Sequence, residues 1–318
     1  MAAPLFITPS RASTSPGGTV TFQAMGGSGS GYVWALDSAD SGGSIAPLTG
    51  VYTAGPRTGY PDVVQLTDGD GSVITVEVQV LAGPTLADLR EQARQRSDMV
   101  NSQFISDQEW ATNINSSYKE LYDLLIMKYG ENYEVQIPFS IQTDGVSETY
   151  PLPPDFYKLL GVDFQINNSP NGYISLKAFN FAERNRYAVP NLQAFYGFLT
   201  NLRYRVIGNK IRFTPQAAAG QNLRLWYVPK PSALANDAAV LDGISGWEEY
   251  VVVDAAIKAL AKEESDPQVL ILQKIALTKR IEDAAANRDL AYPQTVSDVT
   301  GNDIPWGSGS GSGYGGGY

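Results

Sequence analysis

The stretch Ser106–Gly130 constrains the fold more than any other part of this sequence, because it carries the signals of one long amphipathic helix. Ser106 and Glu109 have the spacing of a capping box, in which each side chain satisfies a backbone N–H group left free at a helix start. Large apolar side chains then recur every three or four residues and form one stripe. These side chains are Trp110, Ile114, Tyr118, Leu121, Tyr122, Leu125 and Tyr129. A helix with so large an aromatic face must pack against a large apolar surface, which the rest of the chain has to supply.

Three further segments have helical periodicity, namely residues 85–96, 245–265 and 267–289. Two begin with capping boxes and the third with an Asp-Pro pair, which is a favourable helix start. The residues concerned are Thr85 with Asp88, Ser245 with Glu248, and Asp266 with Pro267. Together with the helix over residues 107–129, these segments predict a four-helix bundle.

Residues 133–231 interrupt this helical pattern with short alternating runs typical of β-strands. Asp144 and Gly145 separate the runs Tyr133–Thr143 and Ser147–Leu152, and this dipeptide predicts a hairpin between them. Two smaller elements are expected downstream: a strand around Gly161–Ile166 and a short helix near Phe179–Arg186. Residues 84–293 are therefore expected to form one α+β domain, a helical bundle with inserted antiparallel hairpins.

A second hairpin is specified down to its register. Gly208 and Asn209 separate the runs 202–207 and 210–215, which is consistent with a type II′ turn whose first central residue is Gly. This register places Arg205 opposite Arg212, on the face that also carries Arg203, Ile207 and Lys210. The other face carries Tyr204, Val206, Ile211 and Phe213. Leu223–Val228 is expected to be the third strand.

Positive charge is concentrated in the same part of the chain. Residues 171–231 contain nine basic side chains and a single acidic one, Glu183. The basic residues are Lys177, Arg184, Arg186, Arg203, Arg205, Lys210, Arg212, Arg224 and Lys230. Like charges directly opposite each other destabilise an isolated hairpin, so the arginine pair needs negative charge, either from acidic residues of the same chain or from a partner. Arg203, Arg205, Lys210 and Arg212 are the candidate contacts for DNA phosphates or an acidic protein surface.

The N-terminal residues 1–83 have an all-β pattern. Short alternating runs over residues 19–24, 32–36, 63–67 and 74–81 are separated by Gly, Pro, Ser and Asp clusters, which predicts a β-sandwich. The sequence Asp68-Gly69-Asp70-Gly71 has some features of a calcium loop, but no bidentate Glu follows at the required distance. A plain hairpin turn is the favoured interpretation.

Composition narrows the chemistry that the chain can perform. The 318 residues include 23 basic and 33 acidic side chains, a net charge of −10, which argues against a general nucleic-acid binder. The chain has no Cys and no His, which excludes disulfides, thiolate metal sites and His-dependent catalytic triads. Neither a nucleotide-binding motif nor a metal-ligand cluster is apparent, so we expect no cofactor and no enzymatic activity. A hydrolase that uses only carboxylates is a less favoured alternative.

The two ends of the chain and its hydropathy bear on location. No apolar run approaches the length of a membrane span, and the first ten residues lack the features of a signal peptide. We therefore expect no membrane association, and synthesis and assembly in a cytoplasm. Residues 294–318 are rich in Gly and Ser and predict a flexible tail. Tyr314 and Tyr318 are its candidate contact residues.

The N-terminal segments resemble those of a known group of domains. PLFITPS, PGGTVTF, GGSGSGYVWAL, TGVYTAG and VVQLTDGDGSVITVEVQV occur in the order found in bacterial immunoglobulin-like domains of surface proteins and phage virions. The resemblance implies an immunoglobulin-like β-sandwich with Trp34 as the buried aromatic residue of its central strand. It also leaves open an alternative function, a virion or cell-surface adhesin that binds carbohydrate through this domain.

Residues 85–290 resemble the head-to-tail adaptor, or connector, proteins of tailed bacteriophages. The resemblance is carried by FISDQEWATNINSSYKELYDLL, YPLPPDFYKLLGVDF, YRVIGNKIRFTP, GQNLRLWYVPKP and the two late helical segments. It implies a structural virion protein that forms a homo-oligomeric ring of twelve subunits, assembled in the host cytoplasm. The ring would dock under the portal protein, receive a tail or nozzle protein and pass genomic DNA without sequence specificity. The resemblance transfers no catalytic residues. On this interpretation Tyr314 and Tyr318 would contact the portal or a neighbouring subunit.

Overall fold

The computed structural model of the chain describes residues 4–129, 137–166, 172–184, 202–241 and 246–286. The expected tail over residues 294–318, with Tyr314 and Tyr318, lies outside these ranges. The expected helix-capping residue Ser245 and the expected helix-ending residue Gly130 also lie outside them.

The N-terminal part of the described chain is rich in β-strands. Its strands are β1 (Phe6–Thr8), β2 (Ala12–Thr14), β3 (Thr19–Thr21), β4 (Gln23–Met25), β5 (Val33–Ala39), β6 (Ser44–Ile45), β7 (Val51–Thr53), β8 (Asp62–Thr67) and β9 (Val73–Val80). They form three sheets with the orders β2-β9-β8-β5, β3-β7-β6 and β1-β4. Each of the four runs expected to be extended contains strand, although the run over residues 19–24 is divided between β3 and β4.

Trp34 lies in the apolar core that these sheets enclose. It is 4% exposed, and its ring centre is 6.0 Å from that of Phe22. A buried carboxylate, Asp62, lies in the same region and accepts hydrogen bonds from the Ser41 hydroxyl and the Tyr52 hydroxyl, both at 2.6 Å. The Ser41 N–H donates to the other oxygen of Asp62, also at 2.6 Å. Burial by itself raises the pKa of Asp62, but these hydrogen bonds outweigh it and hold the pKa below its usual value.

The loop between β8 and β9 agrees with a hairpin turn rather than a calcium loop. The Asp68 carboxylate accepts hydrogen bonds from the backbone N–H groups of Ser28, Asp70 and Ser72, at 2.9, 3.1 and 2.8 Å. Its oxygens therefore face donors that belong to the protein. Among the described residues, no group of three or more acidic side chains is arranged to hold a metal ion.

Four helices in the described ranges share one apolar core. They are α1 (Leu86–Arg96), α2 (Asp107–Tyr129), α3 (Glu248–Glu263) and α4 (Gln268–Ala286). The capping boxes expected at the starts of α1 and α2 are both present. The stripe expected on α2 faces the core, and its members are buried except Tyr129, which is partly buried.

Helix α3 differs from expectation, because it is buried on most of its circumference. A single buried stripe is the usual pattern of a helix at the edge of a core, yet Ile257 and Leu260, the large apolar residues of the last turns, are only partly buried. The buried residues instead lie on several sides of the helix, which contacts α1, α2 and α4. They are Tyr250, Val251, Val252, Val253, Asp254, Ala255, Ala256 and Ala259. Small side chains on α3 let three helices approach it closely, so α3 shares the central position with α2.

A charged cluster joins three of these helices. Asp254 of α3 is 3% exposed at its side chain and pairs with Lys274 of α4 at 2.6 Å and with Lys258 at 2.7 Å. Both lysines also contact Glu120 of α2, at 3.1 and 2.7 Å. These contacts hold the pKa of Asp254 below its usual value despite burial. The cluster fixes the lateral order of α2, α3 and α4.

The residues between α2 and α3 form two four-stranded sheets. The strands are β10 (Ile137–Gln142), β11 (Thr149–Pro151), β12 (Phe156–Gln165), β13 (Tyr173–Ser175), β14 (Lys177–Ala178), β15 (Arg203–Ile207), β16 (Lys210–Thr214) and β17 (Asn222–Pro229). Their orders are β10-β17-β12-β13 and β11-β16-β15-β14. A short 3-10 turn at Phe181–Glu183 stands where a short helix was expected.

Two expectations about this segment are wrong. The strands β10 and β11 flank Asp144-Gly145, but they do not pair with each other, since β10 pairs with β17 and β11 pairs with β16. The strand that contains Leu223–Val228 joins the first sheet rather than the hairpin that precedes it. In both cases the pairing partner is distant in sequence, and local turn signals do not report such partners.

The N-terminal strands are attached to the rest of the protein by more than the link at residues 82–84. Backbone bridges join Thr14 to Ala239 and Thr85 to Val240, and the Ser15 N–H donates to the carbonyl of Ala238 at 3.3 Å. Phe6 packs edge-on against Phe139, with ring centres 6.2 Å apart. A cavity of about 450 Å³ lies along this junction. Residues 232–240, which lie before α3, therefore connect the N-terminal strands with the helical core, and we call this segment the strap.

Candidate functional site

The hairpin of β15 and β16 has the register that its sequence specifies. Val206 pairs with Ile211, Arg205 with Arg212 and Tyr204 with Phe213. Gly208 has a φ of +57°, whereas the φ of the next residue, Asn209, is not positive. A positive φ at the first central position alone is the property of a type II′ turn. The sequence therefore determines both the turn and the pairing.

The apolar face of the hairpin fixes it to the protein. Ile211 and Phe213 are almost completely buried, and the Phe213 ring lies 5.9 Å from the ring of Tyr150 on β11. Because side chains alternate across a strand, this burial turns the intervening basic residues to the opposite face. All four candidate contact residues share that face, with Lys210 exposed and Arg203, Arg205 and Arg212 half-buried.

The sheet extends this basic face by one residue that sequence spacing does not reveal. The strand β14 runs parallel to β15 and places Lys177 beside Arg203. Lys177 is separated from Arg203 by a long stretch of sequence, and only the parallel pairing brings them together. We refer to Lys177, Arg203, Arg205, Lys210 and Arg212 as the basic face.

An acidic residue of the same chain offsets part of this charge. The Glu148 carboxylate lies 2.7 Å from the Arg212 guanidinium. The loop before Glu148 is ordered by Asp144, which accepts hydrogen bonds from the Ser147 hydroxyl at 2.6 Å and the Ser147 N–H at 2.7 Å. These bonds, with that of the Ser147 hydroxyl the strongest, place the pKa of Asp144 far below its usual value. Asp144 is therefore a loop-ordering residue that presents Glu148 to the basic face, rather than the turn of a hairpin between adjacent strands.

An exposed aromatic ring lies against two of the guanidinium groups. The ring of Phe181 is 55% exposed, and its centre is 4.3 Å from the guanidinium carbon of Arg184 and 5.4 Å from that of Arg205. Cation–π attraction holds both guanidinium groups next to this ring. The count of basic residues in this part of the sequence already includes both arginines. Their contact with Phe181 depends on the 3-10 turn, which strand periodicity does not predict.

The structure places two of the remaining basic residues of this part of the chain away from the basic face. Arg224 lies in β17, which belongs to the other sheet, and Lys230 follows that strand. The Arg224 guanidinium carbon lies 3.8 Å from the centre of the Tyr173 ring, and Arg224 is the cross-strand neighbour of Asp163. Arg186 lies outside the described residues. The positive charge counted along the sequence is thus divided between two surfaces, and the basic face is smaller than the sequence suggests.

The basic face is suited to binding an anionic surface. Five cationic side chains are distributed over three strands, which matches repeated phosphates or carboxylates better than a single small anion. Within the described ranges, no helix is both long and apolar enough to cross a membrane.

Comparisons with solved structures give weak similarities. Intimin from EHEC O157:H7, in a mutant form, is 17% identical, with a TM-score of 0.21, over 31% of this chain and 60% of the intimin chain. A structure of the intimin–Tir90 complex is 16% identical, with a TM-score of 0.21, over 33% of this chain and 70% of the matched chain. A putative α-galactosidase from Bacteroides fragilis is 15% identical, with a TM-score of 0.21, over 30% of this chain and 24% of the matched chain. The present chain thus spans 60% of the first intimin chain and about a quarter of the galactosidase.

The comparison with curated proteins finds no match. The comparison with protein-family models is more informative. The model of the SU10 adaptor protein matches residues 84–299, which include the four helices, both sheets between α2 and α3 and the basic face. This range is more than half of the 318 residues. On this match, the chain belongs to the SU10 adaptor protein family.

Proposed function

We propose that this protein is a structural component of a tailed-phage virion that joins the portal of the head to the tail. The observation that carries the proposal is the family match over residues 84–299. The architecture of that range supports it, because a helical core bears an inserted pair of sheets that presents a charged surface.

In this proposal the protein forms a ring of twelve identical subunits in the virion, assembled in the host cytoplasm. The helices form the ring body as a four-helix bundle, and the portal and a tail or nozzle protein bind on either side. The N-terminal strands form an immunoglobulin-like sandwich at the periphery. Its buried Trp34 and its two main sheets support that assignment. Tyr314 and Tyr318 contact the portal or a neighbouring subunit.

The basic face contacts the backbone of genomic DNA or an acidic protein surface without reading sequence. Phosphate contacts position a protein on DNA but carry no base information. Two arginines of the basic face have contacts within the chain, Arg212 with Glu148 and Arg205 with the ring of Phe181. The rest of the chain is strongly acidic. A largely acidic channel with a local basic contact would let the DNA slide, because the channel releases few of the counterions condensed on the DNA and therefore binds it weakly.

Co-sedimentation with purified portal rings tests the proposal. The expected result is that the protein pellets with the rings at a fixed stoichiometry and remains in the supernatant when centrifuged alone. Protein that stays in the supernatant in the presence of portal rings, over the conditions in which the rings are intact, contradicts the proposal.

A further inference from the structure

Helix α4 presents an apolar stripe to solvent. Val269 is 79% exposed, Leu272 is 68% exposed and Ile275 is 59% exposed, and their spacing of three residues places them along one side of the helix. Ile271, beside them, is 40% exposed. We call these four residues the α4 stripe.

The α4 stripe is distinct from the face by which α4 joins the core. Leu277 and Ile281 are buried against α2 and α3, and Lys274 pairs with Asp254 on the same side. The helix is therefore apolar on two sides, although only one is covered within the described residues. Apolar side chains that are exposed together on one side of a helix, rather than scattered singly, mark interaction sites, so the second side is a candidate surface for a partner.

Charge at the end of the α4 stripe limits the chemistry of that partner. Lys279 lies four residues beyond Ile275, on the same side of the helix, and is exposed. Within the described ranges it has no ion-pair partner among the salt bridges found. A surface that complements the stripe and Lys279 together would be apolar, with a negative charge at one end.

The same chain carries a surface with those properties. The connection between α1 and α2 exposes Val100 and Phe104, at 45% and 53%. Asp98, in the same connection, is exposed, and no salt bridge to it occurs among the described residues. The neighbouring charges are already paired, Asp107 with Arg94 and Lys262 with Glu109, both at 2.5 Å. The Lys262 ammonium also lies 5.0 Å from the centre of the Phe104 ring, whose other side remains exposed. We call Asp98, Val100 and Phe104 the α1–α2 patch.

We propose that the α4 stripe binds the α1–α2 patch of a second copy of this chain, with Lys279 opposite Asp98. Two different surfaces that complement each other make a head-to-tail contact, and such contacts close into rings when the rotation between subunits allows. The inference deepens the proposed function and rests on it, because it names the partner of the stripe in the ring.

Sedimentation velocity of the full chain over a wide range of concentration tests the contact. The wild-type protein is expected to form an oligomer. A variant with Leu272→Asp and Ile275→Asp is expected to weaken the association constant at least about a hundredfold, because two charges would be buried without partners. A matched control with Leu48→Asp and Val146→Asp makes the same chemical change at residues that are 84% and 81% exposed elsewhere, and it is expected to associate like wild type.

A double-mutant cycle tests the proposed ion pair in variants that conserve shape. Lys279→Gln and Asp98→Asn are each expected to weaken association several-fold, and the double variant no more than either single variant. Asn is chosen at position 98 because this residue has a φ of +58°, which Asn tolerates. Additive effects in the double variant would overturn the pairing.

Other outcomes overturn the proposal as a whole. A wild-type chain that is monomeric at every concentration, or a stripe variant that associates normally, shows that the stripe is covered by another segment or another protein. Portal co-sedimentation is measured in the same preparations. If the stripe variant still associates like wild type and still binds the portal, this inference fails while the proposed function, with its ring, stands.

Discussion

At the scale of single residues, Asp62 shows how a buried charge can contribute to stability. Its carboxylate is fully buried and accepts hydrogen bonds from Ser41, Gly43 and Tyr52. Removing an acceptor from this cluster leaves donors without partners, and each buried unsatisfied donor costs about 1–3 kcal/mol. The cluster ties β7 and β8 to the loop that precedes β6, so a change at one side chain affects both main N-terminal sheets.

We predict that Asp62→Asn lowers the free energy of unfolding at pH 7 by about 1–3 kcal/mol. The folded pKa of Asp62 is below its unfolded value, so the stabilisation from ionisation is present above the unfolded pKa of about 3.9 and is lost as pH falls through the folded pKa. The difference between wild type and variant should therefore shrink towards pH 2. Urea denaturation at pH 7, 4 and 2.5 measures it.

The control for this prediction is Asp40→Asn, which removes an exposed carboxylate from the same region. It is expected to leave the urea midpoint almost unchanged at each pH. A difference between wild type and Asp62→Asn that stays constant from pH 7 to pH 2.5 would show that the carboxylate charge has no part in the stabilisation.

At the scale of elements, local signals determine the parts of the fold that are local. The capping boxes of Thr85 and Ser106 and the Gly208 turn act within a few residues, so the sequence reveals the starts of α1 and α2 and the register of β15 with β16. The four arginine and lysine positions of the hairpin follow from that register. They were therefore predictable, including the face that they share.

The elements that the sequence did not reveal depend on distant partners. The choice of β17 by β10, and of β16 by β11, is decided by packing between strands that are far apart in the chain. Lys177 joins the basic face only through a parallel pairing. Glu148 reaches Arg212 because β11 pairs with β16, which places Thr149 opposite Arg212 and Glu148 next to that pair. Periodicity gives the buried side of a strand but not the identity of its neighbour.

The turn of the basic hairpin provides a prediction that isolates backbone conformation. Gly208 has a φ of +57°, and a Cβ added there would meet no atom within 4 Å. Gly208→Ala is therefore expected to cost about 1–3 kcal/mol of stability from backbone strain alone. Thermal unfolding followed by circular dichroism measures the change.

Gly161→Ala is the matched control, because a Cβ at position 161 also meets open space but the backbone there does not have a positive φ. This variant is expected to be neutral or slightly stabilising, since Ala restricts the unfolded chain more than Gly does. Equal effects at the two positions would show that the turn does not constrain the hairpin.

The basic face as an element is tested by reversing its central charges. Arg205→Glu with Arg212→Glu is expected to reduce the yield of DNA-filled particles in an infection complemented with the variant, because Glu148 would then face two like charges and the anionic partner would be repelled. Lys119→Glu with Arg57→Glu, at exposed positions elsewhere, makes the same change in net charge and is expected to be tolerated. Normal particle yield and DNA content in the hairpin variant would refute a role for this face.

At the scale of the whole molecule, the helical core connects the other parts. The sequence specifies α2 more clearly than any other element. In the structure α3 is as central as α2, because α3 contacts each of the other three helices. The strap over residues 232–240 joins this core to the N-terminal strands through backbone hydrogen bonds. The N-terminal strands are thus held against the rest of the protein along that strap, which gives the proposed ring a defined outer surface.

The measurement that tests the central claim most directly is electron microscopy of virions labelled with an antibody against residues 1–83. Our account predicts label at the junction between head and tail. Label confined to the tail tip or spread over the capsid surface would contradict the adaptor assignment, and a position at the tail tip would instead favour an adhesin.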